Sequence, residues 1–249
     1  MLAAAALVAP AQRTIYGESF EVAVTPVPIN IAYSASALEL HQDLAYCESP
    51  PGLQLLHCAR FDAAAGGGQS TWLDGLAAAR DFAAADRAAF DALAHLPTTF
   101  QKVHYARVTP AHIVARRPIF AVDAYLTARA GAGAAPVVTG LFWAPPVEGP
   151  LALDARDHAR YYRAYARWVA FLRAREADGA SLVEFRLAEG DIAVFVQRRI
   201  LHGRRAITGD GRRILHGCYV SIDEFKSRYE HAAAVHGGRT YAVGNGQPV

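Results

Sequence analysis

A double-stranded β-helix, or jelly roll, with helices supporting one side is the fold this sequence predicts. Three observations carry that expectation. Most of the chain breaks into short β-like runs bounded by Gly, Pro, Asn and Asp turn signals. Only two stretches, residues 74–96 and 154–177, hold a long helical repeat. The chain has 249 residues and is 53% apolar, enough for one sizeable core and ordinary for a single all-β domain. Two helices among many short strands point to a double-sheet β fold, read here as one domain over residues 1–249.

The elements follow in order. Residues 1–12, MLAAAALVAPAQ, lack the basic start of a secretory signal and read as an Ala-rich helix end. Residues 14–16, 20–24 and 30–33 are β-like, interrupted by a turn carrying Pro26 and Pro28. Leu53–Phe61 is a short apolar run bounded by turns, hence a buried strand. His57 within it is expected to be a hydrogen-bonded core residue. Gly66, Gly67 and Gly68 form a loop that opens no helix at the spacing of a phosphate loop, and residues 70–73 enter the next strand. Residues 74–96 form a helix capped by Asp74 and ended by Pro97. Residues 100–123 are β-like pieces broken at Pro110 and Pro118, residues 127–136 a flexible Ala/Gly loop, and residues 137–143 a strand. The second helix carries Tyr161, Tyr165, Trp168 and Leu172 as one packing stripe. Closing strands come from residues 181–186, 192–196, 200–202 and 213–222, with a hairpin turn at residues 208–211 and a helix from Asp223.

Charge excludes some functions. The 25 basic and 23 acidic residues are spread without a block, so neither nucleic acid nor an acidic surface partner is expected. No run approaches the roughly 18 apolar residues that span a bilayer. Cys47, Cys58 and Cys218 fit neither a zinc site nor a disulfide framework, which suits reduced thiols in a cytoplasmic compartment, with a mitochondrial one left open.

The chemistry centres on residues 190–219, which make sense only with residues 38–43, LELHQD. His41 and Asp43 are two apart, so on a strand their side chains leave one face. A second imidazole from a distant strand, His202, would complete a facial set of two His and one carboxylate, leaving three metal positions open. A 2-oxo acid can fill two of them through its carboxylate and keto oxygen, and dioxygen the third. Its far carboxylate then needs a permanently charged fork, and Arg213, across a hairpin turn from His202, suits that task. Ser70 offers a hydroxyl to the same anion. Tyr16, Phe20, Asn30 and Tyr33 accumulate just before the ligand pair as core aromatics or substrate walls.

His41-x-Asp43, the distant His202-Gly203-Arg204 and Arg213 together resemble the gamma-butyrobetaine and trimethyllysine hydroxylase branch of the taurine-dioxygenase-like iron(II)/2-oxoglutarate enzymes. The surrounding text is similar too: AYCESPPGLQLLHC, residues 67–75, GDIAVF, ILHGRRAITG and RRILHGCYVSIDEF. The resemblance implies a single catalytic dioxygenase domain with His41, Asp43 and His202 on Fe(II) and Arg213 with Ser70 on 2-oxoglutarate. It implies O2 as oxidant, ascorbate as a supporting reductant and a small-molecule substrate, and a homodimer is compatible with it. Tyr16, Phe20, Asn30, Tyr33 and Tyr219 match positions where that branch holds a quaternary ammonium among aromatic faces. Phe20 stands where a tryptophan is usual, and Ala144 where an amide orients the substrate carboxylate. Against the family pattern, a small N-terminal accessory domain and the first strands of the core are expected to be missing. Two other readings stay open: a truncated jelly-roll binding protein that holds metal or 2-oxoglutarate without turnover, and a hydrolytic zinc enzyme on the same ligands, which would gain nothing from Arg213.

Overall fold

The computed structural model describes residues 1–28, 30–131 and 133–237. Eight strands form two four-stranded antiparallel sheets: β1 Phe20–Ala23, β2 Leu38–His41, β3 Leu53–Phe61, β4 Ser70–Asp74, β5 Leu182–Phe185, β6 Ile192–Val196, β7 Ile200–Arg204 and β8 Arg213–Val220. One sheet has the order β1-β8-β3-β6, the other β5-β4-β7-β2. Strands distant in sequence are thus neighbours in space, as in a jelly roll. Phe20–Ala23 supplies the edge strand beside β8. That run is short and only half-buried, a weak β signal that the register with Gly217 to Ile214 makes into a strand.

Alternation explains how β3 is buried on both sides. Leu53 and Leu55 pack outward with Cys218 and Val220 beneath Ala5, in the middle of the helix Leu2–Val8, and Ala9, which caps its end. Leu56 and Cys58 face the other way, against Trp72, Leu187 and Leu215 between the sheets. The largest apolar cluster lies outside the second sheet, where Leu40, Leu73 and Leu201 meet helices carrying Phe82, Phe90 and Trp168. Trp168 is fully buried, with its ring edge-on to Phe120 at 5.0 Å and to Trp143 at 6.1 Å. Truncating such a ring typically costs about 3–5 kcal/mol. The stripe expected on the long helix Ala155–Asp178 is this packing face.

Several local expectations differ: residues 14–16 form a turn closed by Thr14 and Gly17 rather than a strand, and Gly66–Gly67 pairs with Ile207–Thr208 rather than lying in a loop. Residues 74–96 form two helices, Gly75–Ala85 and Arg87–His95, because Asp86 leaves the helical conformation at φ −148° and ψ 76° and its carboxylate accepts from the Ala89 N–H. Residues 31–33 form a 3-10 turn rather than a strand, capped by the Asn30 side chain accepting from the Ala32 N–H. The Ala/Gly loop begins later than expected, after a short helix Ala124–Arg129 capped by Asp123. Cys47, Cys58 and Cys218 are unpaired, and among the described residues no helix is long and apolar enough to cross a membrane.

Candidate metal centre and its cavity

Between the sheets opens a cavity of about 1020 Å³, its mouth included, lined by residues from β1, β2, β3, β4, β7 and β8. All ten residues singled out from the sequence line it: His41, Asp43, His202, Arg213, Ser70, Tyr16, Phe20, Asn30, Tyr33 and Tyr219. At its base, His41 and His202 are direct cross-strand partners of the β2–β7 pair, with ring centroids 4.4 Å apart. β2 ends at His41, so Asp43 lies in the turn beyond it rather than on the strand. It converges all the same because Gln54, Tyr219 and Gln197 hold it there, and the chain turns away directly after it, with Leu44 in the left-handed region at φ 53°. That conformation costs a bulky residue roughly 1–2 kcal/mol, offset by burying Leu44 against Tyr46, Phe100 and Ala144.

His41 Nε2 lies 3.5 Å from Asp43 Oδ1, and His202 Nε2 lies 3.7 Å from Asp43 Oδ2. Each residue has a ligand atom within 4.8 Å of the others. His41 Nδ1 donates to the Glu39 carbonyl at 2.8 Å, which turns Nε2 towards Asp43, where it carries a proton in the charged ring and offers a lone pair in the neutral one. Burial, aided by the charge of His41, lowers the His202 pKa to about 3, so this imidazole is neutral at pH 7 and free to ligate. Burial alone would lower that of His41 too, but the Asp43 hydrogen bond and charge outweigh it and raise it. Asp43 resists its own burial: the His41 hydrogen bond, the two imidazole charges and the Tyr219 hydroxyl hold its carboxyl well below the usual range. Converging lone pairs and a carboxylate, with three sides closed by protein, are the donor set for a small divalent cation.

Four amide and hydroxyl side chains hold this base in place, Tyr219 together with three that the sequence does not single out, Gln42, Gln54 and Gln197. Gln54 Nε2 and Tyr219 Oη each donate to Asp43 Oδ2 at 2.8 Å, and the Asp43 N–H donates to Gln197 Oε1 at 2.6 Å. Gln42 Nε2 donates to the Gln197 carbonyl, while its Oε1 accepts from the Trp143 N–H. The available signal was a lone glutamine within an otherwise apolar strand, LQLL.

Arg213 is 5% exposed and donates through Nη2 to Ser70 Oγ at 3.2 Å, while its Nε has no partner. Burial and the neighbouring Arg204 charge lower its pKa to about 10, so it stays a cation at pH 7. Among the described residues no carboxylate lies within ion-pair distance of it. A buried guanidinium with unused donors facing a cavity is a receptor for an anion. Arg204 is also buried and its Nε is likewise unpartnered, but both of its Nη groups are spent on the carbonyls of Ala32, Ser34 and Ser36 at 3.1, 2.6 and 2.7 Å.

The upper wall is aromatic. Phe20 stacks on Tyr219 with centroids 5.0 Å apart and lies 6.2 Å from Tyr16. Tyr33 and Tyr46 complete the rings that line the cavity, and the Arg107 guanidinium sits 5.5 Å over Tyr16 while bonding the Ile15 carbonyl. Gly217, opposite Phe20 across the β1–β8 pair, makes room for that ring, since a Cβ there would fall 2.2 Å from Phe20 Cζ.

Fold and site together define a jelly-roll protein with a facial His/Asp/His donor set beside a buried anion receptor. The chain belongs to the taurine catabolism dioxygenase TauD, TfdA family, whose pattern it matches over residues 4–219. It is 32% identical over 214 residues to the gamma-butyrobetaine dioxygenase of Pseudomonas sp. (strain AK-1), covering 86% of this chain and 51% of that one. It is 30% identical over 226 residues to dioxygenase str8 of Strobilurus tenacellus, covering 87% and 48%. The chain therefore spans about half the length of these curated relatives. In fold it is similar to a putative alpha-ketoglutarate-dependent taurine dioxygenase from Burkholderia xenovorans, with a TM-score of 0.58 at 16% identity over 87% of this chain and 72% of that one.

Proposed function

We propose that this chain carries out iron(II)- and 2-oxoglutarate-dependent hydroxylation of a small metabolite, a gamma-butyrobetaine-like quaternary ammonium amino acid. The observation that carries the reading is the pairing of two incomplete sites in one cavity: three converging metal donors, and a buried guanidinium lacking an anion. His41, Asp43 and His202 would hold the iron, which when bound supplies oxidative decarboxylation of 2-oxoglutarate by dioxygen, one oxygen atom entering succinate and the other a substrate C–H bond. Arg213 and Ser70 would fix the distal carboxylate of 2-oxoglutarate and so set the orientation of its keto end. The rings of Tyr16, Phe20, Tyr33 and Tyr219 favour a cation through their π faces, at about 0.5–2 kcal/mol per desolvated contact. Phe20 offers a smaller face than the usual tryptophan, and Ala144, buried in the lining, brings no amide to a substrate carboxylate.

Anaerobic titration with iron(II) and 2-oxoglutarate tests this directly. A visible charge-transfer band, then succinate formation on adding oxygen that gamma-butyrobetaine stimulates, is the expected result. A band with no stimulation rejects that substrate and keeps the enzyme class. Folded chain that gives no band refutes the hydroxylase, and 2-oxoglutarate binding without succinate marks a binding protein.

A further inference from the structure

We infer that Gln54 and Tyr219 are positioning residues that present Asp43 to a metal ion through Oδ1 alone, by occupying Oδ2 between them. The inference rests on the proposed reading of His41, Asp43 and His202 as the ligand set. Gln54 on β3 and Tyr219 on β8 are direct cross-strand partners, so the ladder delivers both donors to one point from the sheet opposite the two histidines. Both bonds measure 2.8 Å and both end on the same oxygen. The amide orientation of Gln54 is dictated by its partner, because the flipped side chain would set Oε1 against a carboxylate oxygen. Gln54 is 1% exposed and its Oε1 has no partner, so the chain tolerates an unsatisfied buried acceptor to keep this donor in place. The third hold on Asp43, from its N–H to Gln197 Oε1, fixes the backbone from which the carboxylate projects.

The consequence is a count of open positions. An octahedral ion bound by two imidazoles and one carboxylate oxygen keeps three sites, enough for a two-point chelator and dioxygen together. Were Asp43 to bind through both oxygens, one of those sites would be lost. Gln54 and Tyr219 thereby set how many exogenous ligands the ion accepts, although neither needs to touch it. The Tyr219 hydroxyl is committed to this bond while its ring stacks on Phe20, so the same residue joins the metal base to the aromatic wall.

Cobalt(II), which takes the same donors and reports coordination in its visible bands, supplies the measurement. The parent chain, Tyr219→Phe, Gln54→Met and the double variant are titrated with cobalt, then with 2-oxoglutarate. Each single change is expected to raise the cobalt dissociation constant about 10-fold, within the range typical for outer partners of a metal ligand. The double variant is expected to show an altered band pattern and a blunted response to 2-oxoglutarate. Folded variants that keep the parent's bands and its 2-oxoglutarate response overturn the inference, whatever happens to affinity, and leave the ligand reading intact. Independently of any variant, a structure of the cobalt-loaded parent with Asp43 bound through both oxygens also overturns it. A parent chain that binds no cobalt overturns this inference and the ligand reading together.

Discussion

The base and the wall of the cavity are held in different ways. The base sits on strands: His202 and Arg213 belong to β7 and β8, His41 closes β2, and Asp43 is gripped by Gln54, Tyr219 and Gln197. Much of the wall sits on loops: Tyr16 precedes β1 in a turn, and Asn30 caps a single 3-10 turn that ends at Tyr33. What anchors that turn is one buried cation, Arg204, bonding three of its carbonyls from the strand that carries His202. On the proposed function, groups held by strands would carry the chemistry and groups held by loops would choose the substrate.

The sharpest way to break the contrast is at the base. Asp43→Ala or His202→Ala should reduce iron(II) binding by at least about 100-fold, beyond what outer partners carry, and abolish succinate formation, as read by anaerobic titration. Arg213→Met should raise the 2-oxoglutarate KM by about 10–100-fold, the worth of a charge-assisted bond pair, with iron affinity unchanged. Arg204→Met should act on the wall instead. Three carbonyls would lose their donor, costing about 1–3 kcal/mol, or a fall in melting temperature of roughly 2–10 °C for a chain of this size. The substrate KM should rise while that of 2-oxoglutarate holds; equal rises in both would dissolve the distinction between base and wall.

The smallest effect concerns the opposite lip, the turn Pro145–Val147. Glu148 follows it, accepting a hydrogen bond from Tyr165 Oη at 3.0 Å, and burial raises its pKa to about 7. In the folded chain this carboxyl is protonated at pH 5 and charged at pH 8, whereas unfolded it is charged at both. Its contribution to stability is therefore lost as pH rises towards 7. Glu148→Gln should raise the melting temperature at pH 8 and leave it nearly unchanged at pH 5, a comparison read by thermal melts at the two values.

The base was legible in the sequence because its chemistry is carried by rare residue types at telling spacings, and the wall less so. His41-x-Asp43 reads as a strand pair, yet the strand stops at His41 and Asp43 sits in the following turn, held by Gln54, Tyr219 and Gln197. No periodicity reports a turn of that kind. Asn30 to Tyr33 read as β because aromatic and branched residues dominate there, but the Asn30 cap decides the local conformation. Asp86 escaped notice because a continuous Ala-rich repeat hides a cap within it. Gln54 leaves only the faint signal of one amide in an apolar strand and Gln197 leaves none, since an amide acquires meaning only from what it meets in the folded chain.

Gly217 extends the contrast into evolutionary terms. It lines up with Phe20 and carries no side chain, and any that it gained would push that ring inward. The size of the pocket at this wall is thus encoded partly by a residue with no side chain to offer a guest molecule. Divergence in ligand preference could proceed by paired exchange at positions 20 and 217, with a larger ring admitted only while 217 stays bare. A lineage that filled position 217 first would have closed off the wide-ring solution before selection could sample it.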